Sequence, residues 1–171
     1  ELWESDGTEP GTVQVKDIRP GAQGSNPDWL VNVNGTLFFA ADDGTHGREL
    51  WTSDGTAQGT RLVLDNDPDS TAFSAIAAHT EMGGIGYLSW HTQGHSGLWR
   101  TDGTAAGTFR LTPEGTGAGL PIKASTSRLF FIGSDDEHGA RLWTSDGTVA
   151  GTRALDVEPL LSTWDKLIPY Q

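Results

Sequence analysis

A chain of 171 residues is long enough to bury a core of its own, and its 23 glycines with only 35% hydrophobic residues describe a turn-rich β protein rather than a helical one. The formal charge is −12, from 23 acidic and 11 Lys or Arg residues, which argues against a nucleic-acid partner and against an anionic membrane surface. The absence of Cys excludes disulfides and thiol catalysis, and no apolar run of membrane-spanning length is present.

The chain opens inside a motif, Glu1-Leu-Trp-Glu-Ser-Asp-Gly-Thr8, with no initiator Met or signal sequence, as expected of a processed or excised piece. This partial unit supplies two strands, C and D, over residues 1–18. A first full unit spans 28–65. Trp29 to Val33 alternates, Asn34-Gly35 suits a type I′ hairpin turn, and Thr36 to Ala40 runs apolar. The Gly-rich loop Asp42 to Gly47 then leads into Glu49-Leu-Trp-Thr-Ser53. The turn Asp54 to Gly59 leads into the last strand, Thr60 to Leu64. A second unit, 73–112, reads as degraded, with Gly83, Gly84 and Gly86 around its second strand. A third, 120–156, places strands at Leu120 to Ala124, Arg128 to Ile132, Arg141 to Ser145 and Thr152 to Asp156. Trp164 begins the first strand of a further unit over 164–171.

The repeat dominates the sequence. Trp3, Trp51, Trp99 and Trp143 each precede an Asp-Gly-Thr, and each copy is completed by a second Gly-Thr. Periods of 44–48 residues match a four-stranded propeller blade. The expectation is an all-β chain, a β-propeller or propeller fragment of four-stranded antiparallel blades, forming a single repeat domain over 1–171. A chain stopping before the next second strand leaves open strand edges, so the expectation is either a cut from a larger ring or array, or self-association in which copies share strands. In each turn, Asp6, Asp54, Asp102 and Asp146 are expected to accept backbone N–H bonds as structural braces, and both glycines to supply positive φ. The repeat Trp is expected to fill space between adjacent blades.

These strings, with Val13-Gln-Val-Lys-Asp-Ile18 and Asn34-Gly-Thr-Leu-Phe-Phe39, resemble the Glu-Leu-Trp-x-x-Asp-Gly-Thr repeat family of secreted bacterial proteins. The resemblance covers nearly the whole chain. It weakens after Asp65 in the second unit and at Leu111-Thr-Pro113, which replaces Lys-Asp-Ile. It implies a propeller-like fold and an extracellular or cell-surface location. It implies no defined activity, so no site residue carries over.

Candidate chemistry is sparse. His46, His95 and His138 recur in the loops before the repeat Trp, where surface duty outweighs metal ligation. Asp42 and Asp43, and Asp135, Asp136 and Glu137, are clustered carboxylates of the type that calcium takes, although their spacing is not that of a dedicated calcium loop. No other cofactor is expected. Trp90 and His91 fall outside the repeat pattern, and with His95 they form a candidate ligand contact in which Trp90 stacks on a sugar ring. Trp29, Phe73, Leu120 and Trp164 occupy matching positions and read as core. No nucleophile elbow, phosphate loop or zinc-protease pair is present, and no catalytic residue is assigned. The reading is a non-catalytic binding or scaffold module offering blade loops to a protein or glycan partner. Its rivals are a fragment of a glycan-active enzyme and a purely structural spacer.

Overall fold

The computed structural model describes residues 1–66, 75–91, 96–137 and 139–156. Among these residues the chain is built of antiparallel strands with no helix. In chain order they are β1 (Leu2–Glu4) and β2 (Val13–Lys16); β3 (Asp28–Val33), β4 (Thr36–Asp42), β5 (Arg48–Ser53) and β6 (Arg61–Leu64); β7 (Ala75–Met82), β8 (Ile85–His91), β9 (Gly97–Thr101) and β10 (Phe109–Arg110); and β11 (Gly117–Ala124), β12 (Leu129–Asp135), β13 (Gly139–Ser145) and β14 (Arg153–Ala154). The last twelve form three four-stranded sheets, each with strands in sequence order, and β1 and β2 form a two-stranded sheet. Each full sheet is a meander, the connectivity of a propeller blade.

The register shows why the repeat is so regular. The residue facing the repeat Trp on the neighbouring strand is Phe39 opposite Trp51, Leu88 opposite Trp99 and Phe131 opposite Trp143. All three are buried. Cross-strand pairs of this kind fix register, because a slip of one residue would turn every apolar side chain outward.

Hairpin turns follow the φ > 0 requirement of tight connections. Asn34 and Gly35 take φ values of 50° and 83°, and Gly35 N donates to Asn32 Oδ1 at 2.9 Å. The second unit is not degraded here. Gly83 and Gly84 take 63° and 82°, and Gly84 N donates to Glu81 Oε1 at 2.7 Å. Two glycines meet the same backbone demand as Asn-Gly.

The chain divides into two compact units, 1–75 with 103–105, and 76–102 with 106–171. In the first, Leu2, Val15 and Ile18 of the opening hairpin region pack against Phe39, Ala41 and Trp51. In the second, Tyr87, Leu98 and Leu111 pack against Ala118, Ile122, Leu129, Phe131 and Trp143. In both, the repeat Trp faces the preceding sheet. Burying each such ring removes water from a large apolar surface and stabilises by roughly 1.5–3 kcal/mol or more.

Two residues expected in the core are placed otherwise. Leu120 is 59% exposed and Trp29 only half-buried, with φ of 55°. Both lie where the first strand slips register, between Asp28 and Val31 and between Gly119 and Lys123. A bulge breaks the inward–outward alternation on which the core reading depended. Phe73 and Trp164 lie outside the described residues.

Candidate functional site

The motif turns at Asp6, Asp54 and Asp146 are closed hydrogen-bond circuits. In the first full sheet, Thr56 N and Thr56 Oγ1 both donate to Asp54 Oδ1, at 2.9 and 2.7 Å. Gly55 N donates to Ser53 Oγ at 3.1 Å, Gly59 N to Thr56 Oγ1 at 2.9 Å, and Thr60 Oγ1 to Thr56 O at 2.7 Å. The hydroxyls of Ser53 and Thr60 share a bond of 2.7 Å. The same set recurs around Asp6 and Asp146. The equivalent hydroxyl pair, Thr101 with Thr108, closes the turn that carries Asp102. Hydrogen bonds from the Thr56 side chain and backbone hold Asp54 below the ordinary carboxylate range, as those of Thr8 and Thr148 do for Asp6 and Asp146.

The two glycines of the motif serve different ends. Gly55 takes φ of 89°, and its three counterparts lie within 2° of it. The second glycine is not left-handed. A Cβ on Gly59 would lie 2.0 Å from Asp54 Oδ1, and one on Gly107 would lie 2.1 Å from the Asp102 carboxylate. The expectation of positive φ at both positions is therefore corrected: the second glycine is there because the carboxylate lies flat on its Cα.

The loop from Asp42 to Gly47 carries a denser polar cluster. Arg19 Nη1 donates to Asp42 Oδ2 at 2.5 Å, and Arg19 Nη2 donates to Gln23 Oε1 at 2.6 Å. Asp42 Oδ1 accepts Gly44 N at 2.6 Å. Asp43 Oδ1 accepts the backbone N–H groups of Thr45 and His46, and its Oδ2 lies 2.7 Å from His46 Nδ1. Arg48 pairs with Asp28 and donates to Asn26 O at 3.0 Å. Burial raises the Asp43 carboxyl, but the bonds from His46 and Thr45 outweigh it and leave it below its usual value. The bond to Asp43 raises His46 against the opposing effect of burial, with Asp65 and Glu49 adding attraction for the charged form.

These pairings bear on calcium. At Asp42 and Asp43 an incoming cation would have to displace Arg19 and His46. Asp135 pairs across the hairpin with Gly139, and Asp136 is exposed. Among the described residues no group of three His, Asp or Glu side chains is placed to hold a metal ion.

Trp90 is a core residue, correcting its reading as a sugar platform. It is 0% exposed, and its ring meets Trp99 at a centroid distance of 5.1 Å and an angle of 58°. Ladder pairing puts it in register with Ala41 and Gly133, opposite Gly97 as they are opposite Glu49 and Arg141. It therefore follows the repeat, with bulk exchanged for smallness. His91 is half-buried, and its Nε2 lies 2.8 Å from Ser89 Oγ. That hydroxyl donates to the Ala118 carbonyl, so it accepts from His91, the reverse of an activated nucleophile. His95 and His138 lie outside the described residues.

A groove of about 260 Å³ in the first unit was not anticipated from sequence. Leu2, Val15 and Leu37 give it an apolar floor, and Glu4, Asn32 and Asp54 a polar rim. Its signal was the opening motif copy, whose Trp3 is 56% exposed while its three counterparts are buried.

No protein-family model and no curated protein matches the sequence. Among solved structures, the chain is similar to a puromycin hydrolase variant complexed with PGG, at 13% identity and a TM-score of 0.51, over 76% of this chain and 20% of that one. A second puromycin hydrolase structure matches at 14% identity and a TM-score of 0.40, over 85% and 30%. The chain thus spans about a fifth of the length of the first of these proteins. At such identity the likeness concerns the fold alone. The hydrolase contains a β-propeller, and together with the three meander sheets this defines an all-β chain with a propeller-like fold.

Proposed function

We propose that the chain is a non-catalytic binding or scaffold module, part of a propeller of four-stranded blades, that presents blade loops to a protein or glycan partner. The observation that carries this reading is the division of labour within the repeat. Motif residues shared by the four copies serve the scaffold: Trp51 and Trp143 pack in cores, Asp6, Asp54 and Asp146 close turns, and the glycines permit both. What differs between copies is the loop before the repeat Trp. In the first full sheet that loop bears Asp42, paired with Arg19 from the segment after β2, and Asp43, paired with His46, and it leads into Arg48, paired with Asp28. Rigid scaffolds with variable loops are the usual arrangement for recognition. The net charge of −12 and the resemblance to the secreted repeat family support an exported, cell-surface protein.

The test is a glycan and protein array probed with and without Ca²⁺, repeated with a D43N/H46Q variant. Saturable capture that falls in the variant, with circular dichroism unchanged, supports the reading. Turnover of an arrayed glycan, or capture indifferent to the loop, contradicts it.

A further inference from the structure

The motif turns each carry an Asp-Gly pair, and the hairpin between β3 and β4 carries Asn34-Gly35. Both dipeptides share a chemical liability. The amide nitrogen after Asp or Asn can attack the carbonyl carbon of the preceding side chain, and glycine, with no Cβ, hinders that attack least.

The motif turns are closed to it. Gly7 N, Gly55 N and Gly147 N each donate to the hydroxyl of the Ser two residues earlier, at 3.0, 3.1 and 3.0 Å. The carboxylates of Asp6, Asp54 and Asp146 accept bonds from the following Thr, which hold them below their ordinary range. A carboxylate kept ionised resists a nucleophile, because its negative charge repels the incoming electron pair.

The β3–β4 turn differs on both counts. Its side chain is an uncharged amide. Of Asn26, Asn32, Asn34 and Asn66, only Asn34 precedes a glycine. Asn34 and Gly35 are exposed, and a Cβ placed on Gly35 would meet nothing within 4 Å. The nucleophile is held by a neighbouring side chain, since Gly35 N donates to Asn32 Oδ1 at 2.9 Å. Asn32 is itself exposed, opposite Leu37 in the ladder.

We propose that Asn34 is a site of spontaneous deamidation and backbone isomerisation, and that the bond from Gly35 N to Asn32 Oδ1 sets its rate. Gly35 N attacks Asn34 Cγ. The N–Cγ bond forms, the Cγ–Nδ2 bond breaks, and ammonia leaves with the proton from Gly35 N. Water then opens the succinimide at either carbonyl, leaving at position 34 an aspartate or its β-linked isomer. Aspartate tolerates the left-handed conformation and keeps the hairpin, adding one negative charge to a chain at −12. The isomer lengthens the backbone of a two-residue turn by a methylene. That turn fixes the pairing of Val33 with Thr36, and with it the buried face of Val33. This hairpin ages while the shared motif turns stay intact.

The test incubates the parent, N32A and N32D in warm, mildly alkaline buffer, each folded and each unfolded in guanidinium chloride. Peptide mapping by mass spectrometry reads amide-to-acid conversion at position 34, and chromatography separates the two isomers. Folded N32A, which lacks the acceptor, should convert about two- to tenfold faster than the folded parent, the effect of losing one hydrogen bond. Folded N32D keeps an acceptor oxygen and should convert at the parental rate. Unfolded, all three should convert alike and faster than the folded parent, and only then should Asp54-Gly55 isomerise. Equal rates in the folded parent and N32A overturn the proposal, as does an intact position 34 in folded N32A after the unfolded chain has converted. So does an acceleration that N32D shares, or one accompanied by isomerisation at Asp54-Gly55, which marks global unfolding in place of release of Gly35 N.

Discussion

Replacing Trp90 by Ala separates a core residue from a ligand platform. Trp90 is 0% exposed, and its ring contacts Trp99 at 5.1 Å. Its counterparts Ala41 and Gly133 show that the backbone at this position accepts a small residue. The loss is therefore transfer energy plus a cavity, with no added backbone strain. A buried Trp→Ala change costs about 3–5 kcal/mol, within which the ring pair contributes about 0.5–1.5. For a chain of this size each kcal/mol lowers the melting temperature by about 2–4 °C, so W90A should melt about 6–20 °C below the parent. W90F should recover most of the loss. Thermal unfolding followed by near-ultraviolet circular dichroism, which reports tryptophan packing, is the assay. A W90A protein melting within about 2 °C of the parent, with its near-ultraviolet spectrum retained, would refute the core assignment.

Other consequences concern the turns and charges. G59A drives a Cβ into the Asp54 carboxylate and should destabilise by about 1–3 kcal/mol in urea unfolding, whereas an unchanged midpoint would show that the contact is slack. Asp6, Asp54 and Asp146 have folded pKa values lowered from 3.8, so their stabilisation is present above that value and lost as pH falls through the lower folded value. An acid limb in stability that D54N reduces is expected, and its persistence unchanged would remove these turns as the cause. His46 has the opposite sign: raised from 6.5, its pairing with Asp43 is fully present below 6.5 and lost as pH rises through the folded value, and D43N should return the His46 NMR titration toward 6.5. Millimolar Ca²⁺ should barely move the melting temperature, because Asp42 and Asp43 are already paired with Arg19 and His46. Binding at a hundredfold excess over Kd would instead stabilise by about 2.7 kcal/mol and promote the loop to a metal site.

How far the sequence could be read depended on how local each constraint is. The motif turn is local: Asp54, Thr56, Gly59 and Thr60 satisfy one another within seven residues, so their string is legible without the fold. Asn34-Gly35 was equally plain, but Gly83-Gly84 looked like decay because composition hides that two glycines meet the same φ demand. Trp90 was misread for a reason of register. It lies nine residues before its repeat Trp, whereas Ala41 and Gly133 lie ten before theirs, and the shorter loop disguised the equivalence. Only the ladder restores it. Leu120 was lost to a bulge, which no alternation pattern announces. The charged cluster around Asp42 joins residues from 19 to 48, and its ion pairs follow from tertiary placement rather than from spacing.

In the proposed function the shared motif builds the scaffold while the differing loops face the partner. The most direct measurement is the melting temperature of D54A beside that of D136A, each taken with array binding. Asp54 accepts two bonds from Thr56 and has Gly59 packed on it, while Asp136 is exposed. The account predicts that D54A melts several degrees lower and, below that temperature, still binds. D136A should melt with the parent. A D54A protein with parental melting and abolished binding would contradict the claim, because the motif carboxylate would then serve the ligand and not the turn.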